Sequence, residues 1–206
     1  IAGMGEACRV LDTPVTGGNV SVYNEDPQRA VFPTPTIGII GLVEDISHIT
    51  TQWFKNDGDV ILLLGENKEH LGASEYLHTI HKATRGTVPP LDLAVETRLQ
   101  ATLLTLLRQG FIKSAHDCSE GGIAIALAEC CIANDRGQIG ATITIGDAMR
   151  ADALLFGETQ SRVIVSVSPA QVNQVLEYCR TAKLPVQRLG TVGGDSLMIN
   201  DLVSCT

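Results

Sequence analysis

The sequence lacks any apolar run long enough to cross a membrane, which takes about 18 or more residues. Two of its apolar runs have only the length of a strand: IGIIGLV from Ile37 and VILLLG from Val60. Clusters of lysine and arginine are also missing, because the 15 basic residues are scattered and the net charge is −8. Nucleic-acid backbones are bound by clustered cations. We therefore expect neither a membrane partner nor a nucleic-acid partner.

Cysteine spacing typical of zinc sites is absent as well. No CxxC pair occurs, and Cys130 and Cys131 stand side by side in an apolar helical run. We therefore expect no zinc site, no disulfide framework and a reducing, cytoplasmic location. The composition, 44 % hydrophobic and 18 % charged, is typical of a folded globular chain. Since Ile1 already lies in a helix-like segment, we expect the chain to be a piece of a longer protein.

The first of two predicted domains covers residues 1–55. Helical spacing predicts a helix over residues 1–11. Strand-like runs follow at Thr13–Val15, Asn19–Tyr23 and Thr36–Glu44.

The second predicted domain covers residues 56–206 and alternates strand and helix patterns. This alternation predicts an α/β or α+β fold, with a mixed sheet covered by helices. The strand patterns are VILLLG, IKSAHD, QIGATITI, SRVIVSV, VQRLGTV and SLMIND, and the main helical patterns are GASEYLHTIH, PPLDLAVETRLQATLLTLLRQG, EGGIAIALAECCIAN and SPAQVNQVLEYCRTAKL.

The segment GGNVSVYN from Gly17 places three polar residues at alternate positions: Asn19, Ser21 and Tyr23. On a strand their side chains would share one face. Asn and Ser are poor strand formers, and a polar row facing a core is costly without partners. The face therefore either lines a ligand site or lies in solvent.

The segment SAHDCSEGG from Ser114 predicts a strand that leads into a helix start. Ser119 is placed to cap the helix, and Gly121 and Gly122 leave first-turn amides open to an anion. Asp117 and Glu120 would repel a bare phosphate, so a divalent cation between carboxylate and phosphate would suit both. The alternative is an acidic first turn that only complements the helix dipole.

The segment FGETQSR places Glu158, Gln160 and Arg162 at alternate positions. These side chains could clamp a polar ligand, or Glu158 and Arg162 could form an internal ion pair. Two other polar residues have structural interpretations: Ser74 as a helix cap, and His116 as a partly buried histidine with satisfied hydrogen bonds.

Six segments taken together resemble the C-terminal part of the formylglycinamide ribonucleotide amidotransferases, also called phosphoribosylformylglycinamidine synthases. They occur in the right order over essentially the whole chain: TPVTGGNVSVYNE, PTPTIGIIGLVED, GDVILLLGE, LGASEYL, SAHDCSEGGIAIALAE and LFGETQSR. The resemblance places the chain in the aminoimidazole ribonucleotide synthetase superfamily. It implies the tail of a second A-type domain followed by the second B-type domain.

The reaction implied by the resemblance is a carbon–nitrogen ligation in purine biosynthesis. Formylglycinamide ribonucleotide, ATP and glutamine-derived ammonia give formylglycinamidine ribonucleotide, with Mg²⁺ as cofactor. The implied partners are a glutaminase subunit, a small accessory subunit and the missing N-terminal half of the same protein.

The resemblance also implies roles for particular residues in one active site. Gly18 contacts ATP, Asn19 helps hold magnesium and Ser21 meets the nucleotide substrate. These residue types suit the roles, since an amide oxygen is a good Mg²⁺ ligand and a small hydroxyl suits a polar substrate group.

An auxiliary nucleotide site is implied in the second domain. Asp117 would bind its metal, while Glu158 and Gln160 would contact its nucleotide. Thr159 stands where the family pattern has serine, a mild departure.

The family's catalytic residues lie in a first A-type domain that this chain does not contain, so we predict that the isolated chain is catalytically inert. None of its histidines stands in a matching motif: His48, His70, His78, His81 and His116.

Three alternatives remain open: a selenophosphate synthetase, a thiamine-monophosphate kinase, and a non-catalytic interaction module. NVSVYNE followed by PTPTIG speaks against the first two. Strand edges of a truncated domain would favour self-association, which gel filtration with light scattering tests.

Overall fold

The computed structural model describes residues 1–20, 25–30, 34–132 and 137–206. Contacts within the chain define two compact units, Ile1–Ser47 and His48–Thr206. In the first unit, helix α1 (Ala2–Val10) confirms the helix predicted over residues 1–11. A single 3₁₀ turn, Ile46–His48, lies where the two units meet in sequence.

The strands predicted in the first unit do not form in its described part. Residues Thr13–Val15 and Thr36–Glu44 lie in no strand, and neither do Asn19 and Val20. The remainder of the strand predicted at Asn19–Tyr23, residues 21–23, lies outside the described residues. A strand needs a neighbour to take up its backbone hydrogen bonds. Among the described residues of this unit, β-pairing is limited to the isolated bridge Glu25–Ala30. The strand-like residue pattern of these segments was therefore not sufficient to form strands.

The second unit is built around a seven-stranded mixed sheet, counted over the described residues. Its strands are β1 (Val60–Leu64), β2 (Ser114–Asp117), β3 (Ala141–Ile143), β4 (Val163–Val167), β5 (Val186–Val192), β6 (Leu197–Ile199) and β7 (Val203–Cys205). The strand order is β2-β4-β1-β5-β3-β6-β7, with β3 and β6 parallel and the other neighbouring pairs antiparallel. The sequence predicted the first six strands and missed β7.

Helices cover this sheet, as the sequence predicted, and they lie on both of its faces. They are α2 (Glu75–His81), α3 (Leu93–Arg108), α4 (Gly122–Ile132), α5 (Ala151–Phe156) and α6 (Val172–Thr181). The sequence did not predict α5. Ser74 caps α2 as predicted, since its Oγ accepts a hydrogen bond from the amide of Leu77. Helix α3 begins slightly later than predicted because Asp92 caps it, with Oδ1 accepting from Ala94 and Val95.

Strand β1 is buried on both faces and separates two apolar cores. Ile61 and Leu63 pack with α4 and α5 in one core. Val60, Leu62 and Leu64 pack with α3 and α6 in the other core. Because successive side chains of a strand point to opposite faces, five consecutive apolar residues mark a central strand. This layering brings the start of α4 and the end of α5 together at one end of the unit.

Candidate functional site

One carboxylate oxygen connects the starts of two helices. Oε1 of Glu158 accepts hydrogen bonds from the amide of Glu75, at 2.8 Å, and from the amide of Gly121, at 2.9 Å. Glu75 begins α2, and Gly121 directly precedes α4. Hydrogen bonds to a carboxylate are stronger than neutral ones, and helix starts favour negative charge. The amide of Gly121, which the sequence predicted to be open to an anion, is therefore occupied by Glu158.

Two glycines, Gly121 directly before α4 and Gly122 as its first residue, allow the helix to start close to the end of α5. Both have positive φ, +77° at Gly121 and +67° at Gly122. A Cβ on Gly122 would lie 2.7 Å from the carbonyl oxygen of Gly157 and 2.8 Å from the carbonyl carbon of Phe156. Glycine is required for this approach because every other residue carries a Cβ.

Asp117 ends strand β2 with an exposed carboxylate. The hydroxyl of Ser119 donates to this carboxylate, which differs from its predicted role as a cap of α4. His116 lies between two carboxylates: Nδ1 is 3.6 Å from Oδ1 of Asp117, and Nε2 is 2.7 Å from Oε2 of Glu129. The imidazole is 15 % exposed, which agrees with the predicted partly buried, hydrogen-bonded histidine.

Arg162 is buried and fixes the backbone of the loop that carries Glu158. Its guanidinium donates to the carbonyl oxygens of Thr159, at 2.9 Å, and Gly157, at 2.6 Å, and to Oδ1 of Asn67, at 2.8 Å. Burial lowers the pKa of Arg162, while Cys118 and Glu158 act in the opposite direction. Both sequence interpretations of this residue are therefore wrong: Arg162 is neither a ligand clamp nor the partner of Glu158 in a direct ion pair.

Gln160 is exposed next to Glu158. Its Nε2 lies 3.3 Å from the backbone oxygen of Glu158. Within the described part of the chain, Oε2 of Glu158 and Oε1 of Gln160 accept no hydrogen bond. These two oxygens are therefore available to a ligand's donor groups.

The predicted active-site residues of the first unit are only partly described. Gly18 and Asn19 are exposed and lie in no helix or strand. Ser21 lies outside the described residues. The structure thus brings Glu158 to the start of α4, with Gln160 in the same loop as Glu158, and the roles of Gly18, Asn19 and Ser21 stay predictions.

A preassembled cage for a metal ion is not found in the ranges the structure describes. No three or more His, Cys, Asp or Glu side chains there are grouped so that they could hold an ion. A single exposed carboxylate such as Asp117 still fits Mg²⁺, which is commonly held by one or two carboxylates together with phosphate oxygens and water.

A cavity of about 590 Å³ was not predicted from the sequence. It is lined by residues from the loop after β1, from α2, from the segment 85–90 and from the start of α5. The residues come from four separated segments, so only the fold brings them together.

None of the helices in the described residues combines the length and the apolarity that crossing a membrane requires.

The fold and site define an α/β domain built on a mixed sheet. At one end of this sheet, the carboxylate of Glu158 joins the starts of two helices. Residues 56–199 match the family model described as AIR synthase related protein, C-terminal domain. The chain therefore belongs to the family of AIR synthase related proteins.

Curated relatives extend the match over nearly the whole chain. The chain is 44 % identical over 199 residues to a protein from Alkaliphilus metalliredigens, which covers 97 % of this chain and 27 % of the relative. It is 47 % identical over 197 residues to one from Symbiobacterium thermophilum, which covers 95 % and 25 % respectively. Both are named phosphoribosylformylglycinamidine synthase subunit PurL. The chain spans about a quarter of the length of these relatives.

Solved structures of Thermotoga maritima proteins share the fold. PurL complexed with FGAR matches with a TM-score of 0.62 and 24 % identity, covering 78 % of this chain and 28 % of that one. The PurLQS structure matches with a TM-score of 0.61 and 21 % identity, covering 77 % and 26 %. The predicted fold class, a mixed sheet covered by helices in a C-terminal domain of this family, is confirmed.

Proposed function

We propose that the chain is part of an ATP-dependent carbon–nitrogen ligase of purine biosynthesis. The whole enzyme would convert formylglycinamide ribonucleotide, ATP and glutamine-derived ammonia to formylglycinamidine ribonucleotide. The observation that carries this proposal is 44–47 % identity, over at least 95 % of the chain, to proteins named as a subunit of that synthase. The solved PurL complexes with ATP and with FGAR support ATP and this substrate as ligands of the whole enzyme.

Within that enzyme, residues 1–55 would form the tail of the second A-type domain and residues 56–206 the second B-type domain. Gly18, Asn19 and Ser21 would line one wall of the active site. The side chain of Asn19 is exposed, which suits a magnesium ligand. ATP, when bound with Mg²⁺, would activate the formamide oxygen for displacement by ammonia.

The second domain would carry an auxiliary nucleotide site at the start of α4. Asp117 would hold Mg²⁺ with its exposed carboxylate. Oε2 of Glu158 and the amide of Gln160 would meet hydrogen-bonding groups of the nucleotide. Oε1 of Glu158 keeps its two backbone amides, so the loop would already have the required shape before the ligand binds.

The proposed partners are a glutaminase subunit, a small accessory subunit and the N-terminal half of the same protein, in the cytoplasm. Support comes from the solved structure named PurLQS, in which PurL is one component.

The function is tested by exchanging the matching quarter of the Alkaliphilus metalliredigens subunit for this chain. We expect the chimera to form formylglycinamidine ribonucleotide from ammonia, ATP and substrate, and the isolated chain to form none. A folded but inactive chimera, or an active isolated chain, would contradict the proposal.

The auxiliary site is tested by calorimetric titration of ADP into the chain, with and without Mg²⁺. We expect magnesium-dependent binding that Asp117→Asn abolishes. Asp201→Asn, at an exposed aspartate in the turn before β7, serves as the matched control. If Asp117→Asn leaves binding intact, Asp117 is not part of the site. If binding does not depend on Mg²⁺, the site does not use the metal.

A further inference from the structure

The cavity of about 590 Å³ in the second unit has the size of a small-molecule site. Its walls combine apolar side chains, including Leu71, Leu77 and Val88, with polar ones from the loop after β1, the segment 85–90 and the start of α5. A mixed lining of this kind is typical of pockets that hold an apolar body and orient one polar group.

Close backbone packing fixes one side of the cavity. A Cβ on Gly72 would lie 2.1 Å from the carbonyl oxygen of Thr87, and a Cβ on Gly86, where φ is +101°, would lie 2.7 Å from Cα of Gly72. The amide of Ala73 donates to the carbonyl of Arg85 at 2.9 Å. The loop after β1 and the segment that carries Arg85 are therefore held in contact, which gives Arg85 a fixed backbone position beside the cavity.

Two arginines and one glutamate contribute charge to the lining. Arg150 is already paired, with Nη2 at 2.5 Å from Oδ2 of Asp152. Glu69 accepts a long hydrogen bond, 3.4 Å, from the amide of Arg150. The guanidinium of Arg85, by contrast, makes no hydrogen bond or ion pair with any residue in the described ranges. One uncommitted cation therefore borders the cavity.

His70 contributes a second uncommitted polar group. It lines the cavity, and its Nδ1 is buried without a hydrogen-bond partner among the described residues. A buried polar atom without a partner is uncommon and costs about 1–3 kcal/mol, so it calls for an explanation. A turn of the imidazole toward the cavity would expose Nδ1, which could then carry a proton and donate it to an anionic ligand.

We infer that this cavity binds a small organic anion. Its carboxylate or phosphate group pairs with Arg85, and its apolar body packs against Leu71, Leu77 and Val88. Guanidinium matches both head groups because its planar donors pair with two oxygens at once. This site is distinct from the proposed auxiliary nucleotide site, since neither Asp117 nor Glu158 lines the cavity, although the two sites are neighbours: the amide of Glu158 donates to the carbonyl oxygen of His70 at 2.9 Å.

The test is calorimetric titration of the chain with phenyl phosphate, benzoate and the neutral analogue benzyl alcohol, in EDTA. Arg85→Gln is compared with Arg108→Gln, which removes an exposed arginine from the last turn of α3. We expect both anions to bind, with the tighter one identifying the preferred head group. Arg85→Gln should raise Kd about tenfold, as expected for a lost charged hydrogen bond, while Arg108→Gln and Asp117→Asn leave Kd unchanged.

Three outcomes would overturn the inference: no binding of either anion at millimolar concentration, equal binding of benzyl alcohol, or equal effects of Arg85→Gln and Arg108→Gln. Circular dichroism of the variants controls for folding. A second readout is the ¹⁵N shift of the His70 imidazole. It should move on addition of the bound anion and stay unchanged with benzyl alcohol. Retained ADP binding at Asp117 with no anion binding here would reject this site alone.

Discussion

The carboxylate of Glu158 holds the backbone amide of Gly121 at 2.9 Å, although the two residues are 37 positions apart in sequence. Glu158 follows α5 and Gly121 precedes α4, so this bond fixes the loop GETQSR against the helix start. The same oxygen also accepts from Glu75, which adds α2.

Replacing Glu158 with alanine is expected to lower the free energy of unfolding by about 1–3 kcal/mol, because two backbone amides lose a charged acceptor. Glu158→Gln, which keeps an acceptor oxygen, should lose less. The control Gln160→Ala, at an exposed side chain, should stay within about 0.5 kcal/mol. Urea unfolding measures all three. Equal stability of Glu158→Ala and Gln160→Ala would show that the two hydrogen bonds of Glu158 contribute nothing to the free energy of unfolding.

Replacing Gly122 with alanine is expected to destabilise the chain more than the same change at Gly110. Both glycines have nearly the same φ, +67° and +69°, so both variants carry the strain of a left-handed residue, about 1–2 kcal/mol. Only at Gly122 would the new Cβ also meet backbone atoms, at 2.7 Å, whereas Gly110 has open space. Thermal unfolding of both variants gives the comparison, and identical losses would argue against the close approach of α4 and α5.

Replacing Arg162 with methionine is expected to cost about 3 kcal/mol or more, since buried carbonyls of the loop GETQSR lose their donors. Arg162→Lys should not restore stability, because an ammonium group cannot reproduce the three hydrogen bonds of the fork. Arg108→Met is the exposed control. Amide hydrogen exchange should show faster exchange at residues 157–161 in the Arg162 variants only; unchanged protection there would contradict the role of the guanidinium.

Stability should fall as the pH rises above about 8.5. Burial raises the pKa of Cys118, Cys131 and Cys179 to about 11, and that of Cys130 is raised as well. Unfolded thiols titrate near 8.5. Between about pH 8.5 and 11 the folded chain keeps protons that the unfolded chain releases, so the free energy of unfolding decreases with pH.

Urea midpoints at pH 7.5 and pH 9.5 check this dependence. Cys179→Ala should reduce the slope with pH, and Cys205→Ser, at an exposed thiol, should not. In the folded chain at pH 8, a thiol reagent should modify Cys8 and Cys205 and spare the four buried cysteines. A midpoint that stays constant with pH would contradict the raised pKa values.

The sequence was most informative where burial and periodicity agree. VILLLG is apolar at every position, which correctly predicted β1 as a buried strand. Ser74 precedes an apolar helical pattern and caps α2 as predicted, whereas the cap of α3, Asp92, was missed. Local signals of this kind depend on a few neighbouring residues, so they can be read without the fold.

Long-range partners could not be predicted in the same way. Glu158 and Arg162 alternate along the chain, yet Glu158 bonds to distant amides and Arg162 bonds to carbonyls of its own loop and to Asn67. The cavity beside Arg85 depends on four segments brought together by the sheet. The apolar run from Ile37 has strand periodicity, but the described part of its unit supplies no neighbouring strand, so Ile40 and Leu42 remain exposed.

The most direct test of the proposed function is the rate of formylglycinamidine ribonucleotide formation by the chimera when Asn19 is changed to alanine. If Asn19 holds magnesium in the active site, the rate should fall at least about tenfold and recover in part at high Mg²⁺ concentration. Asn173→Ala, at an exposed asparagine of α6, should leave the rate unchanged. Full activity of the Asn19→Ala chimera at every Mg²⁺ concentration would contradict the proposal that this segment forms a wall of the active site.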